Sequence, residues 1–211
     1  LSPDAQIVIF TFEGDLWKVA AEGGLATRLT SMQGNEVRAR VSPDGKWLAF
    51  SNDQMGNQDV YVMPLAGGAI KQLTFHEAYD QVDSWSWDSK FIYFTSDRYN
   101  RSSGFKVSVE GGSPVRLFGN YFNTVHSVYE HPGTGELFFN ETWESRSEYD
   151  RKRYKGAYNP DIQSFNLKTN EFKVYTDYLG KDLWVSIDRN GKIYFASDEL
   201  NNEYNLYTFE G

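Results

Sequence analysis

One pattern recurs three times at a fixed step, and its period constrains the fold more than any single residue does. The diglycines Gly23-Gly24, Gly67-Gly68 and Gly111-Gly112 are spaced 44 and 44 residues apart. Leu29-Thr30, Leu73-Thr74 and Leu117-Phe118 follow at the same step. Ser2-Pro3-Asp4, Ser42-Pro43-Asp44-Gly45 and Ser86-Trp87-Asp88-Ser89 lie upstream of the pairs in the same phase. A period of this length with four short strands per unit is the signature of β-propeller blades.

The second repeat shows the unit most clearly. Glu36–Val41 reads as a strand and Ser42-Pro43-Asp44-Gly45 as a tight turn, in which proline presets φ and Asp-Gly supplies the φ-positive position. Trp47–Ser51 and Asp59–Met63 read as the second and third strands, with a polar loop from Asp53 to Gln58 between them. Ala69–Thr74, after the diglycine, reads as the fourth. The third repeat predicts strands over Gln81–Ser86, Phe91–Ser96, Phe105–Val109 and Pro114–Phe118, with a loop over Asp97–Gly104. The fourth begins with Thr124–Tyr129 and Glu136–Asn140, then breaks the period. Leu117-Phe118 to Tyr175-Thr176 spans 58 residues, an insertion of about 14. Asp161–Asn166 and Glu171–Thr176 complete it.

The expected organisation is a single all-β domain over 1–211, made of a partial blade (1–34), blades at 35–78, 79–122 and 123–180, and a partial blade at 181–211. The fourth unit carries its insertion at 141–159. The first unit lacks an inner strand and the last stops before a fourth. Each blade of a propeller buries both faces against its neighbours, so three full and two partial blades are expected to belong to a larger ring. A closed five-bladed ring would need an inner strand that Leu1–Asp4 is too short to supply.

Composition narrows the function classes. The net charge of −8, from 21 basic and 29 acidic residues, argues against nucleic acid or an anionic membrane as partner. Without cysteine there is no disulfide framework or thiolate metal site. No apolar run is long enough to span a bilayer, and a soluble protein, cytoplasmic or periplasmic, is expected.

No Gly-x-Ser-x-Gly elbow is present for a hydrolase nucleophile. His126 and His131 lie five apart across a strand end and its turn, and His76 stands alone, which does not make a metal site. Asp80, Asp83 and Asp88 lack the compact loop that folds oxygen ligands onto calcium. Turn and strand-edge roles are expected for them, and neither cofactor nor metal is expected.

Two regions remain as candidate peptide or protein contacts. The inner strands of a propeller line its channel, so Arg38, Arg40, Asp83, His126 and Trp184 are candidate channel residues, with Asp80 on the rim. The alternative for these positions is solvated lining or interblade ion pairing. The insertion is the second region. It combines Glu141, Glu144, Glu148 and Asp150 with Arg151, Lys152, Arg153 and Lys155, and interleaves Trp143, Tyr149, Tyr154 and Tyr158. Arginine among aromatic neighbours is the composition of contact surfaces; a mixed-charge surface loop is the alternative.

With the repeats laid out, the chain resembles the propeller repeats of the tricorn-type peptidases and, more distantly, those of the TolB family. Gly14-Asp15-Leu16-Trp17-Lys18-Val19 looks like the first blade of a tricorn amino-terminal propeller, and Asp59–Pro64 with Ala66-Gly67-Gly68 looks like a following blade. Arg151–Gly156 with Asn159-Pro160-Asp161-Ile162 resembles that propeller's fourth-blade insertion. The resemblance implies a six-bladed propeller with no catalytic residue in this chain, serine-peptidase and other domains elsewhere in the same polypeptide, and a homo-oligomer. It also implies a role in peptide passage or gating, domain docking or oligomer contacts. The competing expectation is a free-standing, TolB-like protein-binding propeller.

Overall fold

The Ser-x-Asp segments fold as their composition dictates, and each does so with the same three hydrogen bonds. Ser42 Oγ donates to Asp44 Oδ1 (2.6 Å), Trp47 N donates to Ser42 Oγ (2.9 Å), and Lys46 N to Asp44 Oδ1 (3.1 Å). Ser2 and Ser86 repeat the arrangement with Asp4 and Asp88. In the fourth repeat His131 takes the serine's place: its Nδ1 accepts from Gly133 N and Thr134 N, and its Nε2 lies 3.1 Å from Gly191 O. The turns at Ser42, Ser86 and His131 each join two strands of an antiparallel meander, and the one at Ser2 leads into the first strand.

The computed structural model describes residues 1–119, 124–142, 154–156 and 159–210 of the chain, and five sheets account for all its strands. β1 (Ile7–Phe12), β2 (Asp15–Ala20) and β3 (Thr27–Arg28) form the first. β4 (Glu36–Val41), β5 (Trp47–Asn52), β6 (Asp59–Pro64) and β7 (Lys71–Gln72) form the second. β8 (Asp80–Trp85), β9 (Phe91–Tyr99), β10 (Arg101–Ser108) and β11 (Val115–Phe118) form the third, and β12 (Thr124–Glu130), β13 (Leu137–Thr142), β14 (Asp161–Asn166) and β15 (Glu171–Val174) the fourth. β16 (Asp182–Ile187), β17 (Lys192–Ser197) and β18 (Asn205–Glu210) close the list. Three sheets are four-stranded and two three-stranded, each in sequential order. No helix occurs among the described residues, and none is long and apolar enough to cross a membrane.

The chain divides into two compact units, Leu1–Arg98 with Phe105–Val115, and Tyr99–Gly104 with Arg116–Gly211. In the first unit, alternation along one strand feeds two cores. Leu48 and Phe50 of β5, with Tyr61 and Met63 of β6, pack against Leu16. Ala49, Val60 and Val62, one residue out of phase, pack with Val82, Ile92, Phe94 and Phe105. A strand buried on both faces reads as continuously apolar, as Trp47–Phe50 does. Burying a phenylalanine such as Phe50 or Phe94 stabilises by roughly 2–3 kcal/mol. The second unit gathers Phe138, Ile162, Val185, Ile187, Ile193 and Phe195.

Two expectations need correction. Ala69–Thr74 contracts to the two residues of β7, because a side chain replaces the backbone ladder. Thr74 Oγ1 accepts from Val60 N (2.9 Å) and donates to Asp59 Oδ1 (2.9 Å). Thr30 does the same with Leu16 N (2.8 Å) and Glu36 Oε2 (2.7 Å), and Thr176 Oγ1 accepts from Ile162 N (2.9 Å). The Leu-Thr recurrence is therefore a strand-ending lock. Second, Asp97–Gly104 is no loop: β9 runs to Tyr99 and β10 starts at Arg101, hinging on Asn100 at φ 81°. This repeat has Phe118 where the others have threonine. The ring packs with Phe139, Phe165 and Phe172. A Cβ on Gly104 would stand 2.8 Å from Phe118 Cζ.

Candidate functional site

The first strand of each of the last four sheets is broken by a bulge at a similar depth. Register shifts fall between Val37 and Arg40 in β4, Val82 and Ser84 in β8, His126 and Tyr129 in β12, and Leu183 and Ser186 in β16. An extra residue in one strand bends it and re-aims the side chain it carries. Three of the four bulges force a non-glycine residue to positive φ: Arg38 at 55°, Ser127 at 58° and Trp184 at 57°. Such backbone conformations cost about 1–3 kcal/mol each and persist only where the surroundings impose them.

In the first unit the bulges bring together Arg38, Arg40 and Asp83. The Arg38 guanidinium stands 3.7 Å from the carboxylate of Asp83, whose side chain is 1% exposed while that of Arg38 is 36% exposed. Arg40 Nε donates to Asp83 O (2.8 Å), and Trp85 Nε1 donates back to Arg40 O (2.8 Å). β4 and β8 are thus cross-tied, and the Arg38 side chain is far more exposed than the Asp83 carboxylate it faces. Asp80 is differently employed. It opens β8 rather than lying in a loop, is fully buried, and receives Arg98 Nη2 at 2.6 Å. Arg98 in turn covers the rings of Phe105 and Phe94. Glu36, at the equivalent place in β4, is also fully buried and holds Thr30 and Asn52. Burial pushes its carboxyl up, against the hydrogen bond from Thr30.

In the second unit His126 is nearly buried, and Trp184 is 52% exposed. The Trp184 ring lies 5.7 Å from that of Tyr204 at 40°. Asn140 of β13 ties the neighbouring inner strand across its bulge, donating to Asp182 O (2.7 Å) and accepting from Val185 N (3.3 Å). Burial pushes the Asp182 carboxyl up, against bonds from Ser197 and Thr176. Asp161 is pushed up to about 7, first by burial and then by the charges of Asp182, Asp177 and Glu141. Its Oδ1 is buried with no hydrogen-bond donor among the described residues.

Of the insertion's candidate contact residues, Tyr154 and Lys155 are described. Tyr154 O accepts from Asn159 Nδ2 (2.7 Å), and Lys155 Nζ lies 4.4 Å from the centroid of the Tyr178 ring. Trp143, Arg151, Arg153 and Tyr158 lie outside the described residues.

A recurring carboxylate clip was not anticipated from the sequence. Asp53 Oδ1 accepts from Asn35 N (2.7 Å), Asp97 Oδ1 from Tyr79 N (2.9 Å), and Asp198 Oδ1 from Lys181 N (2.9 Å). Each fastens the residue before a first strand to the end of the second, at Asp97 within β9 and at Asp53 and Asp198 just past β5 and β17. The aspartate recurring at this place was its only signal. Among the described residues no three His, Cys, Asp or Glu stand together in a way that could hold a metal ion. What the bulged strands offer is side-chain presentation: one half-buried guanidinium beside a carboxylate in the first unit, one exposed indole beside a phenol in the second.

Residues 3–211 match the family described as the tricorn protease N-terminal beta propeller domain. Tricorn protease homolog 1 of Streptomyces coelicolor is 33% identical over 119 residues, covering 54% of this chain and 11% of that protein. A protein of Sulfurisphaera tokodaii, described as a putative tricorn-like protease N-terminal subunit, is 28% identical over 127 residues, covering 56% of this chain and 64% of the relative. The chain therefore spans less than two thirds of either relative. Among solved structures, the tricorn protease superposes with a TM-score of 0.77 at 20% identity, over 97% of this chain and 20% of that one. A putative TolB from Agrobacterium tumefaciens gives 0.76 at 19% identity, over 98% and 77%.

Proposed function

This chain belongs to the tricorn protease N-terminal β-propeller family, and from that membership we propose that it handles peptides, without catalytic residues of its own, for a tricorn-like serine peptidase. The observation that carries this reading is the bulge repeated in four first strands, with Arg38 and Trp184 held at positive φ. Bulges concentrate where a sheet must aim a side chain at a ligand. Strain kept at equivalent positions points from an observed outlier to a use. Arg38 suits a peptide carboxylate or carbonyl, and Trp184 with Tyr204 suits an apolar or cationic side chain. Asp80, Asp83 and His126 are buried in the fold's own contacts and act by holding the strands that present these groups.

The test uses the complete polypeptide that contains this chain, assayed on fluorogenic peptides of increasing length. Arg38→Ala and Trp184→Ala are expected to slow cleavage of long peptides several-fold while sparing the shortest. Equal rates at every length would sink the peptide-handling role, and no peptide turnover by the complete polypeptide would sink the peptidase parent.

A second reading is a separate protein-binding propeller of TolB type. The Sulfurisphaera tokodaii relative, described as a subunit, and the fold likeness to a TolB favour it. The length of the natural polypeptide separates the two.

A further inference from the structure

The loops on one edge of the first unit carry apolar side chains that neither of its cores uses. Met55, Phe75 and Tyr79 are 69%, 78% and 51% exposed, and clustered large apolar groups of this kind mark contact surfaces. The loops that hold them are fastened. Asn57 Nδ2 reaches both His76 O (2.8 Å) and Ala78 O (2.9 Å), and Asp80 N donates to Gln58 O (2.7 Å). Phe75 and Tyr79 each stand one residue from this fastening, and Met55 two. The clip from Asp97 Oδ1 holds Tyr79 N as well.

Within these two loops the Lys, Arg, Asp and Glu side chains are of one sign. Residues 53–58 and 75–79 include Asp53 and Glu77 but neither Lys nor Arg. Among the described residues no basic side chain pairs with Glu77 or Asp97. We propose that this edge docks a basic, amphipathic stretch of polypeptide, its apolar side chains on Met55, Phe75 and Tyr79 and its cations beside Glu77 and Asp97. Loops fixed before binding lose little freedom on binding, aromatic residues and methionine are the enriched anchors of interfaces, and opposite charge sets the register. A second copy of the chain fits less well, since a two-fold contact through this edge would set its carboxylates against themselves.

The probe is a fluorescein-labelled peptide of repeating Arg-Leu, with a Glu-Leu peptide as its counterpart, titrated with the full chain by fluorescence anisotropy. The expected result is saturable binding of the Arg-Leu peptide alone, weaker at higher salt. It should be at least about tenfold weaker for Phe75→Ser/Tyr79→Ser, and weakened also by Glu77→Lys. Melting curves establish that the variants fold; should the double variant melt early, Met55→Ser replaces it. Equal affinity of the folded variants, or equal binding of the Glu-Leu peptide, would overturn the proposal. So would a concentration-dependent dimer in sedimentation that Phe75→Ser abolishes, which would make a second copy the occupant.

Discussion

Glu141 and Asp161 are direct partners across the β13–β14 ladder, two carboxylates opposite one another at the base of the insertion. Like charges so placed repel, and burial with the charges of Asp182, Asp177 and Glu141 holds the Asp161 proton to about pH 7. In the unfolded chain this aspartate ionises near its ordinary value of 3.8. As pH rises from about 4 to about 7 the unfolded chain binds fewer protons, so stability falls across that window and levels off above it. Asp161→Asn is expected to raise the melting temperature at pH 8, by about 1–2 kcal/mol of stability after discounting for solvent access, and to leave it unchanged at pH 4. Thermal melts at the two pH values decide it; a gain equal at both would mean that ionisation is not involved. Asp4 and Asp88 carry the opposite sign. Ser2 and Ser86 hydroxyls lower their carboxyls, so their contribution is lost as pH drops below about 4.

Thr74 satisfies a buried backbone donor and a buried carboxylate at once. Thr74→Val keeps the shape, orphans Val60 N and strips one donor from Asp59, which keeps Gln72 Nε2 at 3.1 Å; the loss should be about 1–3 kcal/mol. Thr74→Ser should recover most of the loss. Denaturant unfolding of the three proteins measures this, and a valine variant of unchanged stability would show that the lock is dispensable.

Gly34 and Gly23 share positive φ, at 85° and 98°, yet only one is crowded. A Cβ on Gly34 would stand 2.3 Å from Asp53 Oδ1 and 2.8 Å from Gln54 N, while nothing lies within 4 Å of one on Gly23. Gly23→Ala is expected to cost about 1 kcal/mol from backbone strain alone. Gly34→Ala should cost at least about 1 kcal/mol more, because it displaces the clip from Asp53 to Asn35. Equal losses would show that the clip adjusts freely.

Ser127 sits at φ 58° on the β12 bulge, with a small side chain to lose. Ser127→Gly should stabilise by about 0.5–1 kcal/mol, strain relief outweighing the added freedom of the unfolded chain. A destabilised variant would mean that the serine side chain holds the bulge in place.

The repeat was legible because its markers are local: Asp44-Gly45 makes a turn wherever it occurs, and Trp47–Phe50 reads as a doubly buried strand. The bulges were not legible, because a bulge is a matter of register between strands. Arg38 and Trp184 moreover occupy a backbone region that their bulk disfavours. Arg38 and Trp184 keep solvent around them, whereas burial puts Asp80, also read as a contact, into an ion pair with Arg98. That pair is invisible in sequence, since residues 80 and 98 meet only once β8 and β9 pair in register. Thr30 and Thr74 were seen as a recurrence, but their use emerges only with Leu16 N and Val60 N in place.

Phe118, standing where the other repeats carry threonine, constrains the residue it faces. A phenylalanine there tolerates no side chain at position 104, since even a Cβ meets the ring at 2.8 Å, whereas a bare glycine facing a smaller neighbour leaves only a gap. A gap of that kind costs less than forcing a Cβ against a packed ring. The two positions are therefore coupled: a side chain at position 104 fits only with a smaller residue at position 118, so either change alone is expected to cost more than the pair.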